Sequence, residues 1–250
     1  MANDSVLVRP SAPHALIGLH AARQASREAT FSFLRKIEPE IPVRNLVIRA
    51  TQSAAHKHQA VGLAGRRYAE RGYRFGQADD HVLTLSASDQ HRMLGTMGIR
   101  FDSERGLNAD AVFADELREL RHSGKVLCEF TQLALDSEAP SKRVLAALFH
   151  NAYLHAHRLR GAQLLVVEVN PRHVAYYRRM LGFKVCSEVR TNVRVQAPAV
   201  LMCLDFTHVE LQIARYGGQP ALASVARTLY PYAYSPSEEA AIMAELRRAH

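Results

Sequence analysis

The chain has 250 residues, 48% of them hydrophobic and 22% charged, which suits one α/β domain able to bury a large core. No apolar run reaches the roughly 18 residues needed to cross a bilayer, and the start, MANDSVLVRPSAPHALIGLH, has no basic stretch leading into an apolar one, so neither a membrane span nor a secretory signal is expected. The net charge of +8 attracts acidic partners, but the basic residues are dispersed and form no zinc-finger or RNA-binding signature, so nucleic acid is not the expected partner.

Residues 1–42 read as an N-terminal extension, with a helix over Ala21–Lys36 that the EPEIP segment ends, because proline cannot continue an interior turn. Asn45–Ala50 is a short β-branched strand. Thr51 or Ser53 can cap the helix that follows, and Gly72 supplies its left-handed stop. His81–Ser86 and Arg92–Phe101 form an antiparallel hairpin around the turn Ser88-Asp89-Gln90. Val112–His122 is a short amphipathic helix, broken by Gly124. KVLCEFTQLALD, Lys125–Asp136, is nearly continuous apolar sequence, as a central strand buried on both faces requires. Ser141–Leu159 carries Leu145, Leu148, Phe149 and Ala152 at helical spacing, and AQLLVVEV, Ala162–Val169, is a second buried strand.

Pro171 opens a helix to about Leu181, where its missing N–H costs nothing, and Gly182 ends it. Lys184–Arg190 and Ala199–Phe206 are two last strands, and residues 207–250 are a mainly helical C-terminal extension of the domain spanning 43–206. The three cysteines, Cys128, Cys186 and Cys203, all fall in strands. An odd number without a small-scaffold spacing argues against a disulfide framework, so they read as buried hydrophobes and the cytoplasm as the compartment. Strand–helix–strand crossovers in the middle with hairpins at the ends imply a mixed sheet of about six to seven strands flanked by helices. A dinucleotide-binding fold is excluded, since its Gly-x-Gly-x-x-Gly turn is missing.

That order, with Asn170-Pro-Arg-His-Val-Ala-Tyr-Tyr177 and then Leu181-Gly-Phe183, resembles the GNAT acyltransferases, in which an Asn ends the fifth strand, a Tyr follows seven residues later and Gly-Phe closes the helix. The longer string NPRHVAYYRRMLGF, followed by APAVLMCLDF, resembles the FeeM-type long-chain N-acyl amino acid synthases. The likeness covers about residues 45–206 and is strongest over 125–206. It implies a GNAT fold and acyl transfer from an acyl carrier protein to the amine of an amino acid, with no resident cofactor, the acyl-phosphopantetheine being a co-substrate. One departure from acetyl-CoA-dependent GNAT proteins fits that donor. Their glycine-rich loop cradles a pyrophosphate on backbone N–H groups, whereas Ser137–Leu145 contains no glycine and Pro140 removes a donor. Arg143 and the helix start can still hold one phosphate.

Acyl transfer from a thioester to an amine needs a base for the ammonium, donors for the tetrahedral oxyanion and an acid for the departing thiolate. Glu129 is the expected base, an ionisable group in an apolar strand whose burial raises its pKa; a structural salt bridge to Arg49 or Arg100 is the plain alternative. Glu168 is a second acid in such a strand. The GNAT likeness implies that Tyr177 serves the departing sulfur, with Tyr176 its neighbour. His173, four residues earlier on the same helix, is placed to carry protons or bind the pantetheine arm. Asn170 orients substrate or caps the helix. Backbone N–H groups around Thr131, Gln132 and Leu133 form the oxyanion site if the strand bulges there.

Lys142, Arg143, Arg172, Arg178 and Arg179 flank the donor site as carrier-protein contacts or as ordinary solvated faces. An amino-acid acceptor needs a cation for its carboxylate, for which Arg49, Arg100 and Arg118 are available. His150, His155 and His157 share one helix without zinc-protease spacing, and no metal is expected. Three alternatives remain: a CoA-dependent N-acyltransferase on another small amine, an acyl-homoserine-lactone synthase suggested faintly by Phe130-Thr-Gln-Leu133, and a basic binding module on a degenerate acyltransferase fold.

Overall fold

A computed structural model describes residues 46–249 apart from 52, 74–78, 90–91 and 138–140, and all described residues fall within one compact unit. The helix expected over Ala21–Lys36 and the proline of the glycine-free turn, Pro140, lie outside the described residues. The β-branched run becomes β1 (Val47–Thr51), followed by α1 (Ala54–Ala69), β2 (Val82–Ser88), β3 (Met93–Phe101), α2 (Asp110–His122) and the central β4 (Leu127–Leu135). The second half comprises α3 (Lys142–Tyr153), β5 (Leu164–Val169), α4 (Val174–Leu181), β6 (Lys184–Val185), β7 (Arg190–Asn192) and β8 (Ala197–Asp205). The tail is α5 (Phe206–Tyr216), α6 (Ala223–Ala226) and α7 (Pro236–Arg248), joined by 3₁₀ turns at Pro220–Leu222 and Tyr230–Tyr232.

Among the described residues these strands form one eight-stranded sheet in the order β1-β2-β3-β4-β5-β8-β6, with β7 also pairing β8. The strand expected over Lys184–Arg190 is two short strands, so the count exceeds six to seven; both lie antiparallel to β8. β4 and β5 are the parallel pair, as the helical crossover between them demands, and every other pairing is antiparallel.

The two faces of the sheet are covered differently. On one, Cys128 and Phe130 of β4 and Leu165 and Val167 of β5 pack with Val144, Leu145 and Leu148 of α3 and with Phe206, Val209, Tyr230 and Met243 of the tail. On the other, Leu127, Leu164 and Val166 pack with Phe113 and Leu117 of α2, while Leu63 and Ala64 of α1 cover Ala134. Helix α3 runs straight into a π-helical segment, Leu154–Leu159, rather than staying α-helical to its end. Ser53 is the N-cap of α1 as expected, although its side chain makes no capping bond. Gly182 ends α4 at φ 85°, in the left-handed region that only glycine enters freely.

The expectation for the cysteines needs correction. Cys186, just after β6, and Cys203 of β8 are joined in a disulfide, their Cα atoms 6.4 Å apart, and Cys128 alone stays a free, buried thiol. The physical reason is register. Lys184 lies opposite Cys203 in the β6–β8 pairing and the Cys186 N–H donates to the Leu201 carbonyl, so the two cysteines are diagonal neighbours, which a sequence separation of 17 hid.

Candidate active site

The site is built where β4 parts from β5. Their parallel pairing runs through Leu127–Leu164, Cys128–Leu165 and Glu129–Val166 and then stops, so the strands splay from Phe130 onward. On its other side β4 bulges. Gly98 of β3 faces Thr131, but Thr96 faces Ala134, so Gln132 and Leu133 stand against the single residue Met97. Gln132 takes φ 54°, one of three non-glycine residues with positive φ among those described. The extra residue shifts the side-chain alternation, which is why Leu127 and Ala134 share a face. Gly98 permits the close approach: a Cβ there would come 2.6 Å from Val82 Cγ1 and 3.1 Å from Thr131 Cγ2. Thr131, Gln132 and Leu133 therefore occupy a bulge next to an open seam, the backbone geometry an oxyanion site needs.

Glu129 stands at the last paired position before the splay. It is 2% exposed, and the Asn108 N–H donates to its Oε2 at 2.6 Å. Arg100 lies opposite it across the strands, but that guanidinium is taken by Asp79 and by the Gly106 carbonyl at 2.9 Å. Burial, reinforced by the charge of Glu168, raises Glu129 to a pKa of about 8. A partner cation in contact would have pulled it the other way, so the salt-bridge reading of Glu129 gives way. Glu168, two residues beyond the strand position opposite Glu129, is bound through Oε2 by Arg194 at 2.5 Å and Asn192 at 2.7 Å, and burial raises its pKa too. The two acids face the same side of the sheet, and the charge of Glu168 disfavours ionisation of Glu129.

The start of α4 supplies the second half of the site. Asn170 caps the 3₁₀ turn Pro171–His173, its side chain accepting from the Arg172 N–H at 3.2 Å, so the capping role expected of it is observed. His173 leads into α4, and burial together with Arg172 and Arg71 lowers its pKa to about 4. It is a neutral imidazole at physiological pH, fitted to hydrogen bonding rather than to holding a proton. Tyr177 lies one turn on, its ring 5.3 Å from Phe183 and 6.1 Å from Tyr176. Burial raises its hydroxyl well above the ordinary range, with Tyr68 and Tyr176 adding to the shift, so it keeps its proton and can offer it in a hydrogen bond.

Ser141 caps α3 with its own hydroxyl, which accepts from the Val144 N–H at 3.4 Å. Arg143 is exposed on the first turn of α3 and faces Glu238 of α7, whose carboxyl is held low by Ser235 first and by Arg143 in addition. Arg178 and Arg179 are exposed on the outer side of α4. The structure thus places Glu129 and the 131–133 bulge along β4, and Asn170, Arg172, His173 and Tyr177 in the segment that follows its parallel neighbour β5, with Arg143 and Arg179 exposed on α3 and α4. Among the described residues no three His, Cys, Asp or Glu side chains come together as a metal-holding group; His150 is held by Glu239 and the Tyr234 N–H.

With this geometry in view, the model of the family described as N-acyl amino acid synthase FeeM matches residues 59–205. The chain belongs to the FeeM family. Among solved structures it is similar to FeeM, an N-acyl amino acid synthase from uncultured soil microbes, at 24% identity and a TM-score of 0.60 over 65% of this chain and 92% of that one. It also matches an acyl-CoA N-acyltransferase from Pseudomonas aeruginosa (16% identity, TM-score 0.42, 64% and 97% covered) and the AHL synthase LasI (12%, 0.45, 64% and 90%). No curated protein sequence matches. The fold is that of the GNAT acyltransferases, and this FeeM-family chain is an N-acyltransferase.

Sequence reading of this FeeM-family site missed the end of α1. The charges and rings of Tyr68 and Arg71 act on Tyr177 and His173, and Arg172 donates to Tyr73 Oη at 2.6 Å. Tyr68 also feels Glu168 and Arg194. The arginines considered for an acceptor carboxylate are elsewhere engaged: Arg100 with Asp79, and Arg118 on exposed α2 with Asp115 at 2.9 Å. Arg49 lines a separate cleft of about 1080 Å³ between α1 and the β1–β3 side of the sheet. The available signal for Arg71 was its place just before Gly72, where a helix must stop; nothing in the string said what it would stop against.

Proposed function

We propose that this N-acyltransferase moves a long acyl chain from an acyl carrier protein to the amine of an amino acid, with Glu129 as base and Tyr177 as acid. The observation that carries the reading is Glu129, a carboxyl buried without a cation in contact, lifted to a pKa of about 8 and set where β4 splays from β5. A carboxylate of that basicity takes a proton from an ammonium far more readily than an ordinary one. The bulge at Thr131–Leu133 offers backbone N–H groups for the oxyanion, and neutral His173 a hydrogen bond to the amide groups of a pantetheine arm. Arg71 and Arg172, at the same end of the site, suit an acceptor carboxylate.

The donor follows from what the turn before α3 lacks. Ser137–Leu145 has no glycine, and Ser141 already satisfies one helix-start N–H, which suits a single phosphate better than a pyrophosphate. Lys142, Arg143, Arg178 and Arg179 give the surrounding face the charge an acidic carrier needs. The test compares matched acyl-carrier-protein and acyl-CoA thioesters in a thiol-release assay with a panel of amino acids, products being identified by mass. A preference for the carrier thioester that weakens with salt is expected. Faster turnover of the CoA thioester, or an N-acyl product from amines lacking a carboxylate, overturns the donor or the acceptor assignment respectively.

A further inference from the structure

Glu168 is gripped by a clamp that acyl transfer, as laid out above, does not use. It stands on β5 two residues beyond Val166, the residue paired with Glu129. Strand spacing and rise put the two backbone positions about 8 Å apart on one face of the sheet. The clamp is the turn between β7 and β8. Asn192, 2% exposed, donates through Nδ2 to Glu168 Oε2 at 2.7 Å and accepts the Arg194 N–H on Oδ1 at 2.8 Å. One buried side chain thus joins the backbone of the turn to the acid, and the Arg194 guanidinium binds the same oxygen at 2.5 Å. The turn is itself fixed. Gln196, at φ 52°, donates to the Val193 carbonyl at 2.7 Å, and Arg190 at the start of β7 holds Glu116 of α2 by two bonds of 2.9 and 2.6 Å. Both bonds of the clamp fall on Oε2, while Oε1 is buried with no hydrogen-bond partner among the described residues. A mere fastening gains nothing from leaving that acceptor unpaired.

Resting on the transferase reading above, we infer that Glu168 is a positioning residue for the reaction: without touching substrate, its clamped charge acts through the sheet on Glu129 and makes Glu129 the stronger base. The surroundings leave Glu168 as the agent. It is the leading charge acting on Glu129, whereas the cations Arg194 and Arg100 act the other way and are engaged, Arg194 by Glu168 itself and Arg100 by Asp79 and the Gly106 carbonyl. Cys128, next to Glu129 on β4, is a thiol that burial keeps neutral, and burial also keeps the proton on Tyr68 of α1, which feels Glu168. Glu116, the acid of α2 nearest the clamp in the bonding pattern, is paired with Arg190. A negative charge held in a water-poor sheet favours the protonated form of a second carboxyl, the direction a base for an ammonium requires.

The experiment uses the purified full-length enzyme and reads the midpoint of the rising limb of kcat/KM against pH. Wild type should rise through about 8. Glu168→Gln keeps the size and an acceptor for Asn192 but removes the charge, and the midpoint should fall by about one pH unit. Glu168→Asp keeps the charge and should stay within about half a unit of wild type. A purely structural role predicts a lower melting temperature with the limb unmoved. That result overturns the inference, and so does a midpoint that moves as far in Glu168→Asp as in Glu168→Gln. A second readout needs neither turnover nor a folded Glu168 variant: nuclear magnetic resonance of carbon-labelled glutamate carboxyls, the Glu129 signal being the one lost in Glu129→Gln. In wild type that signal should titrate in two steps, because ionisation of Glu168 is felt there, and a single step overturns the coupling. If two steps are seen but no thioester is consumed, the transferase reading fails and the coupling stands. Turnover with a single-step titration sinks the coupling alone.

Discussion

Two polar regions of this protein are built to opposite rules. In the C-terminal buttress the polar groups around His150 are matched to one another. The Tyr234 N–H donates to His150 Nδ1 at 3.0 Å, which fixes the proton on Nε2, and that nitrogen donates to Glu239 of α7 at 3.0 Å. Asn151 donates to Tyr234 Oη at 2.8 Å, and Ser235 and Glu238 close a capping box at the start of α7. In the β4–β5 seam the groups are buried but mismatched. Glu129 is pushed up by burial and then by the charge of Glu168, His173 is kept neutral by burial and then by Arg172 and Arg71, Tyr177 is held protonated by burial, and Gln132 sits in a strained backbone region. The buttress uses polarity to hold the tail on α3. The seam holds buried titratable groups whose shifts are of the kind that cluster at functional sites.

Removing the mismatch gives the largest expected effect. Glu129→Gln keeps the size and the acceptor for Asn108 but ends the titration, and the rate should fall by about 10² to 10⁴, the range for a lost general base. In wild type kcat/KM should rise with pH through about 8, since the carboxyl acts only once ionised, and the variant should lose that limb. Stability should move the opposite way. The folded pKa lies above the unfolded value near 4.5, so the native state binds the extra proton; its contribution is complete below that value and lost as pH climbs through about 8. Glu129→Gln should therefore melt higher than wild type at pH 9 and differ little at pH 4. A variant that is slower yet no more stable at high pH would mean that Glu129 is not the strained group.

The buttress should respond in stability and not in rate. Glu239→Ala strips the acceptor from His150 and one partner from Arg158, and should cost about 1.5–3 kcal/mol, read from denaturant unfolding. The folded fraction should keep kcat/KM within about twofold. A large rate loss at unchanged stability would join the two regions and end the contrast.

The fold was legible because its signals are local and periodic. The hairpin expected over His81–Ser86 and Arg92–Phe101 is observed over Val82–Ser88 and Met93–Phe101, and the apolar run of β4, Pro171 at a helix start and Gly182 at its end fell where expected. Glu129 was legible for the same reason, as a charge breaking an apolar run. What stayed hidden depended on contacts between distant segments. Nothing local to Tyr68 or Arg71 says that the end of α1 lies over Tyr177, and Cys186 and Cys203 meet only through the β6–β8 register. The six-residue π-helical segment after α3 and the division of the expected Lys184–Arg190 strand into β6 and β7 were likewise not signalled by any spacing in those segments.

The bulge offers the smallest effect and the finest distinction. Gln132 contributes a backbone N–H, a side chain and a strained φ of 54°, and a glycine separates the first from the other two. Gln132→Gly retains the amide and relaxes the left-handed geometry, so stability should rise by up to about 1 kcal/mol if the loop-like position gains more from relief than it loses in chain entropy. If the amide is what meets the oxyanion, the rate should stay within about threefold of wild type. If the side-chain amide makes that contact, the rate should drop by 10-fold or more with stability improved all the same. Measuring both quantities on one variant tells whether the seam's strain at Gln132 serves to aim a backbone donor or to aim a side chain, a distinction that the matched pairs around His150 have no counterpart for.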